Sequence, residues 1–342
     1  MKKAQFKGYL LEEALAFLIR TSGYTLITRT HPDDPDLSNG HNGLKLRGRG
    51  ATHQIDVLGE LKWIPAFTYP MRLMIEAKFR NEKTGIDVIR GEVGILADVN
   101  ENYFMPDDST IKARYQYVSA VFSTSGFSRQ AVDMAIAHQV QIGDLSIEEY
   151  DKLKQTINEA TDEIFVDNDE LSKEDAVNFR QEFRKILFSE DSRVNLSYNL
   201  IENDSVGRLS SAIKNDYHKL FIGMSKGGFM LLLKADNPEK FIDHIKRYGS
   251  HDIVIHWRDI NNGKKWEIKP VVGDYRLTFA LPEKLHGYIY KLAENRYEAA
   301  LNQKDIHFSK ICITYYDELE DREYIINLKY SRENFRRYEE NH

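Results

Sequence analysis

The sequence predicts an α/β protein, and three observations predict it. Apolar spacing switches repeatedly between the helical period, as in Leu11, Leu15 and Leu18, and the strand period, as in Met71, Leu73, Ile75, Ala77 and Phe79. Charge is segregated: Asp144 to Asp191 holds 15 Asp/Glu against 6 Lys/Arg, a net of −9, which leaves +3 for the rest of a chain whose total is −6. After Val194, strand-like runs such as "FMLLLKA" and "DIVIHW" alternate with helical runs such as "NPEKFIDHIKRYG". Together these predict an αβββαβ block over 1–145, a charged helical linker over 146–190, and an α+β domain over 191–342.

A helix is expected from Phe6 to Thr21, closed by "SGY", then a short strand in "YTLITRT". "HPDDPDLSNGHNG" is too polar and broken for a core element. Strands follow over Thr52–Trp63 and Met71–Phe79, joined by "IPAFTYP". Then come a helix over Ile86–Asn100, a strand over Tyr117–Thr124, a helix over Ser128–His138 and a short strand in "VQIGD". Helical spacing in two pieces fills Ser146 to Phe188, a solvated hairpin or a dimerisation arm.

A chain of 342 residues with 42% apolar composition buries a substantial core. It has no apolar run long enough for a bilayer, and two glutamates interrupt "MKKAQFKGYLLEEALAFL" where a signal peptide needs apolar residues. A cytoplasmic protein with no membrane partner is expected. The single cysteine, Cys312 in "KICITYY", excludes an intrachain disulfide and a Cys-rich zinc site, and reads as core packing. Binding to nucleic acid stays open, because it depends on local potential rather than total charge.

The chemistry concentrates in "HQIDVLGELKWIPAFTYPMRLMIEAKF", His53 to Phe79. On a strand, Glu76 and Lys78 share a face, and Asp56 joins them if the two strands pair as a hairpin. Two carboxylates suit a hard divalent cation, with the Ala77 carbonyl as a further ligand, and Lys78 is placed to polarise water and offset phosphorane charge. Glu-x-Lys alone is weak, occurring at Glu60–Lys62, Glu76–Lys78 and Glu267–Lys269. Its bland counterpart is a solvated ion pair.

Four pieces in order raise its specificity: "GYLLEEALAFLIRTSGY" from Gly8 to Tyr24, "QIDVLG" with Asp56, "MIEAKFR" with Glu76 and Lys78, and "AVFSTSGFSRQAVDMA" from Ala120 to Ala135. Over residues 6 to 145 the chain resembles the PD-(D/E)XK nucleases, and among them the Mrr-like restriction endonucleases. The resemblance implies a restriction-endonuclease-like core, Mg²⁺ with Mn²⁺ as substitute, and DNA as substrate. It implies Glu12 as the helix glutamate, with Glu13 as fallback, and Asp56, Glu76, Ala77 and Glu12 around the metal. Gln54, two before Asp56, is expected on the same strand face, against metal-bound water or phosphate. His53 reads as a packing or loop residue. Ser125 and Ser128 are expected near a phosphate at a helix N-terminus, with Ser128 also a helix cap. The chain departs from the family in "RGRGATHQID", where Arg47 and Arg49 stand in place of a further acid. These arginines either contact phosphate or solvate a loop. The connection from Asp56 to Glu76 is also long, and Trp63, Phe67 and Tyr69 at its tip serve packing, DNA or a partner subunit.

In the second half, "NNG" marks a hairpin around Asp252, Asp259, Glu267 and Lys269, with Trp257, Lys264, Lys265 and Trp266 nearby. The expected activity is a Mg²⁺-dependent DNA endonuclease of restriction or defence type, with a homodimer or a defence-complex partner. The rivals are a catalytically silent nucleic-acid-binding or assembly subunit and a junction or flap nuclease.

Overall fold

The computed structural model describes residues 1–40, 43–102, 113–166, 169–188, 204–217, 219–260, 263–281, 286–287, 296–317 and 319–341. The chain is mixed α/β and divides into two compact units, one of Met1–Arg20 with Tyr24–Lys214, the other of Thr21–Gly23 with Asn215–His342.

The first unit opens with helix α1 (Lys3–Thr21), whose Phe6, Leu10, Leu11, Ala14, Leu15, Leu18 and Ile19 are buried. Its main sheet contains β1 (Tyr24–Leu26), β5 (Val57–Leu61), β6 (Met71–Lys78), β7 (Gln116–Ser123) and β8 (Gln141–Asp144), in the order β1-β5-β6-β7-β8. β1, β5 and β6 pair antiparallel, whereas β6, β7 and β8 pair parallel. Parallel neighbours need crossovers, and α2 (Ile86–Asn100) and α3 (Arg129–Ala137) supply them. As the central strand, β6 is covered on both sides, so Arg72, Leu73, Met74 and Ile75 are all buried instead of alternating.

A small sheet of β2 (Leu37–Gly40), β3 (Gly43–Arg47) and β4 (Thr52–Gln54) lies in the stretch read as loop and first strand. The expected strand over Thr52–Trp63 is therefore two strands in two sheets, broken at Ile55 and Asp56. Packing is the reason: Leu37 and Leu46 are buried in one cluster with Leu58, Met74, Val99 and Tyr117. That burial draws a polar segment into the core.

The charged helices α4 (Asp151–Ile164) and α5 (Lys173–Phe188) group with the first unit. Phe6 meets Phe165 and Phe179 edge-on at 5.5 and 5.0 Å, and Phe17 stacks on Phe188 at 6.1 Å. α1 and α5 touch in step along their lengths, so they run in the same direction. Exposed acids outside and buried Phe179, Phe183 and Leu187 inside reconcile the composition with this packing. α6 (Asp204–Tyr217) follows.

The second unit holds a closed seven-stranded barrel in the order β10-β13-β12-β11-β15-β14-β9. Its strands are β9 (Leu220–Ser225), β10 (Met230–Ala235), β11 (Ser250–Ile260), β12 (Gly263–Pro270), β13 (Leu277–Ala280), β14 (Lys310–Asp317) and β15 (Arg322–Tyr330). With α7 (Pro238–Arg247), α8 (Arg296–Phe308) and α9 (Arg332–Asn341) it mixes helices and strands, and closure is the feature the sequence did not announce. Trp266, Phe241, Phe308, Ile253 and Ile255 form its core. Cys312, on β14, is half-buried. Among the described residues no helix is long and apolar enough to cross a membrane.

Candidate active site

β5 and β6 pair with Val57 opposite Ile75, so one more step of the register sets Asp56 opposite Glu76. Asp56 sits in the bend where the chain leaves the small sheet for the main one. Its Oδ2 accepts a hydrogen bond from the Ala77 amide at 2.9 Å. The Lys78 ammonium contacts Glu76 Oε1, and both side chains are about one-fifth exposed. The hairpin expected from sequence thus brings Asp56, Glu76 and Lys78 together.

Burial, the Glu76 charge and a hydrogen-bonding contact with Glu76 push the Asp56 carboxyl up to about 7, against the Ala77 amide and Lys78, which lower it. Burial likewise raises Glu12 to about 8, with Arg180 opposing and the Asp56 charge adding. Glu12 is therefore within electrostatic reach of Asp56. As placed, it accepts a hydrogen bond from Arg180 Nη2 at 2.7 Å. Glu13 is buried between Arg180 and Arg184, a structural ion-pair position.

Sequence reasoning missed Glu92. It is buried on α2, accepts a hydrogen bond from Ser119 Oγ at 2.7 Å, and is raised by burial and by the Glu76 charge while Ser119 and Lys78 lower it. The signal was available, because Glu92 interrupts the inward stripe of Ile89 and Val99. It missed Arg180 as well, and Asp98, whose carboxylate accepts from the Gly50 and Ala51 amides at 2.7 and 3.1 Å and contacts His53 Nε2 at 2.7 Å. Asp98 thus clamps the loop before β4, and His53, read as a packing or loop residue, lies on β4 opposite Leu46 with its ring against Asp98. A Cβ on Gly48 would lie 1.9 Å from the Asp98 carboxylate, so a side chain here would push the clamping carboxylate aside.

The remaining residues sit differently. Gln54 is exposed on β4 and pairs with Lys45, because the change of sheet between Gln54 and Val57 ends the alternation that would have tied it to Asp56. Ser128 caps α3, accepting from the Ala131 amide at 3.2 Å. Ser125 Oγ donates to the Glu82 carbonyl. With Thr84 and Thr124, whose hydroxyls bond Ser123 Oγ and the Arg80 amide at 2.8 and 3.1 Å, this cluster stitches the segment after β6 to the end of β7. Arg49 is mostly exposed and contacts Glu101 at 3.4 Å. Arg47 lines a cleft with Asp36, Arg114, Tyr115 and Tyr117, beside the start of β7 and not at its Ser123 end.

Among the described residues, no three His, Cys, Asp or Glu side chains gather into a metal-holding group. Magnesium, however, keeps several waters and takes one or two carboxylates, adding substrate phosphate oxygens. Asp56, Glu76 and the Ala77 carbonyl form an all-oxygen donor set of that kind. Two partly buried carboxylates facing one another, one of them raised to about 7, are an excess of negative charge that a cation would relieve.

No family model matches the chain, and no curated protein matches it. A crystal structure of a protein of unknown function, AF1548, is similar at 16% identity over 60% of this chain and 97% of that one, with a TM-score of 0.34. A likeness of that size carries no argument.

Proposed function

We propose that the first unit is a restriction-endonuclease-like domain of the Mrr-like PD-(D/E)XK type, a Mg²⁺-dependent DNA endonuclease of restriction or defence character. The observation that carries this reading is the Asp56 carboxylate bonded to the Ala77 amide, which sets it against the Glu76–Lys78 pair. Asp56, Glu76 and the Ala77 carbonyl would hold Mg²⁺ or Mn²⁺. The bound ion supplies Lewis-acid stabilisation of phosphate oxygens and a more acidic water.

The protein's own groups do the rest. Lys78, at the end of a buried strand, orients the attacking water and offsets charge on the pentacovalent phosphate. Glu12, from α1, would reach the ion or one of its waters from the edge of the site. Water oxygen attacks phosphorus, the bond to the 3′ oxygen breaks, and the products are a 5′-phosphate and a 3′-hydroxyl that takes up a proton. Each site cuts one strand, so a double-strand break needs a second copy or a second encounter.

Incubating plasmid DNA with Mg²⁺ or Mn²⁺ tests the proposal. The wild-type protein is expected to nick it, and Lys78→Ala to do so about 10²–10³-fold more slowly. Equal nicking by both proteins, or none by either, overturns the nuclease reading in favour of a silent binding or assembly subunit. Preference for branched over linear DNA would make the substrate a junction or flap.

A further inference from the structure

We propose that Arg180, on the second of the two charged helices, is a positioning residue that holds the Glu12 carboxylate at the edge of the Asp56–Glu76 site. This inference rests on the nuclease reading and extends the catalytic unit beyond residues 6 to 145.

The geometry is specific. Arg180 Nη2 donates to Glu12 Oε2 at 2.7 Å while its Nε contacts Glu13, and its guanidinium lies over the Tyr9 ring at 4.6 Å. Its side chain is 16% exposed and that of Glu12 is 12% exposed, so the pair is little screened by water. A guanidinium fixed by a fork of donors and a ring face has few ways to move, and it transmits that fixity to the carboxylate it grips.

Why α5 delivers an arginine there follows from packing. Phe179 docks against Phe6 and Phe183 is fully buried, which turns Arg180 towards the Glu12–Glu13 side of α1. Arg180 reaches both glutamates, whereas Arg184 lies one turn on and contacts Glu13. This asymmetry supplies an internal control. Arg180→Met leaves Glu13 paired with Arg184, and Arg184→Met leaves it paired with Arg180, so both variants keep one cation on the buried carboxylate and only the first releases Glu12.

The experiment compares Arg180→Met, Arg180→Lys, Arg184→Met, Glu12→Gln and the Glu12→Gln/Arg180→Met double variant. It reads single-turnover cleavage of a duplex with Mg²⁺, duplex affinity in Ca²⁺, and Mn²⁺ binding by calorimetry without DNA. Arg180→Met is expected to lower both cleavage and Mn²⁺ affinity by about 10–100-fold, as loss of a ligand's supporting partner does elsewhere. Arg180→Lys should recover part of the loss, Arg184→Met should match the wild type, and duplex affinity at saturating Ca²⁺ should not change. With Glu12→Gln already present, removing Arg180 should cost nothing more.

Equal effects from Arg180→Met and Arg184→Met would overturn the proposal by making the network purely structural. A full further loss in the Glu12→Gln background would overturn it too, as would a drop in duplex affinity, which would make Arg180 a phosphate contact. If the wild type does not cut at all, the nuclease reading fails on that result. The Mn²⁺ titrations of the two arginine variants then still decide whether Arg180 holds Glu12.

Discussion

Glu76 and Lys78 on β6, and Glu267 and Lys269 on β12, share one spacing on two strands, and in both pairs the ammonium touches the carboxylate. Their neighbours differ. Glu267 has Lys269 at 3.3 Å on one oxygen and Arg276 at 3.0 Å on the other, with His256 and Thr278 as its cross-strand partners. Glu76 has one cation, and the carboxylate of Asp56 beside it. The barrel pattern carries a surplus of positive charge and the β6 pattern a surplus of negative charge. Spacing fixes which side chains share a face; the adjacent strand decides whether they form a closed ion pair or a site with an unmet demand for a cation.

The same contrast runs wider. In the second unit Asp274 is held low by Lys240, and Asp317 and Glu320 by Lys246. In the first, burial raises Glu12, Asp56 and Glu92. Asp98 follows the barrel's rule, lowered by His53 and two amides, and its task is to clamp a loop.

The largest expected effect separates the two patterns by sign. Asp56→Asn should slow cleavage about 10³-fold, several kcal/mol of transition-state stabilisation. In EDTA it should raise the melting temperature of the first unit, gaining roughly 1 kcal/mol by removing like-charge repulsion. A functional site relieved of its charge becomes more stable and idle. Calorimetry showing Asp56→Asn to be less stable without metal would mean that Asp56 belongs to a structural ion pair, as Glu267 does.

Next in size is Arg72, at the other end of β6. It is buried, with Asp34 Oδ2 at 2.6 Å, Glu60 Oε2 at 2.9 Å and the Tyr115 ring at 3.3 Å from its guanidinium carbon. Here a single guanidinium donates directly to both acids, Nε to Glu60 and Nη2 to Asp34. Arg72→Met should cost about 3–5 kcal/mol by stranding the buried Asp34 carboxylate. Hydrogen exchange of β6 amides reads this directly, and unchanged protection would refute it.

How much of this was legible depends on the range of the interaction. α2 and β6 follow from local periodicity, and the Asp56–Glu76 encounter follows once a hairpin is assumed. Gln54 was misplaced because "THQIDVLG" keeps a smooth strand pattern through the change of sheet at Ile55, which burial of Leu37 and Leu46 imposes from elsewhere. Arg180 lies 168 residues from Glu12, beyond any spacing argument. Barrel closure depends on strand partners such as the parallel pair β11 and β15, and alternation identifies strands without naming their neighbours.

Smaller effects are expected in the barrel. Glu267→Gln leaves Arg276 and Lys269 without their shared anion, and should lower stability by about 1 kcal/mol or less at this partly exposed site. Cleavage at saturating DNA should not change. A cleavage defect as deep as that of Asp56→Asn would show that β12 carries a second active centre.

The smallest effect is a slope in pH. Asp317 contacts Lys246 at 2.5 Å and accepts from the Leu319 and Glu320 amides at 2.9 and 3.1 Å. Its folded carboxyl is therefore held below the ordinary value of 3.8, chiefly by the Lys246 hydrogen bond. A depressed carboxyl contributes stability that is present above its unfolded pKa and lost as pH falls through its folded one. The wild-type barrel should thus outlast Asp317→Asn at pH 6, and the gap should close as pH drops below about 4. Hydrogen exchange of β14 and β15, followed from pH 6 to acid, reads the gap in this unit alone. A gap that persists unchanged into acid would assign the contribution of Asp317 to its two backbone hydrogen bonds, which Asn retains in part, and would remove charge pairing as the barrel's distinguishing rule.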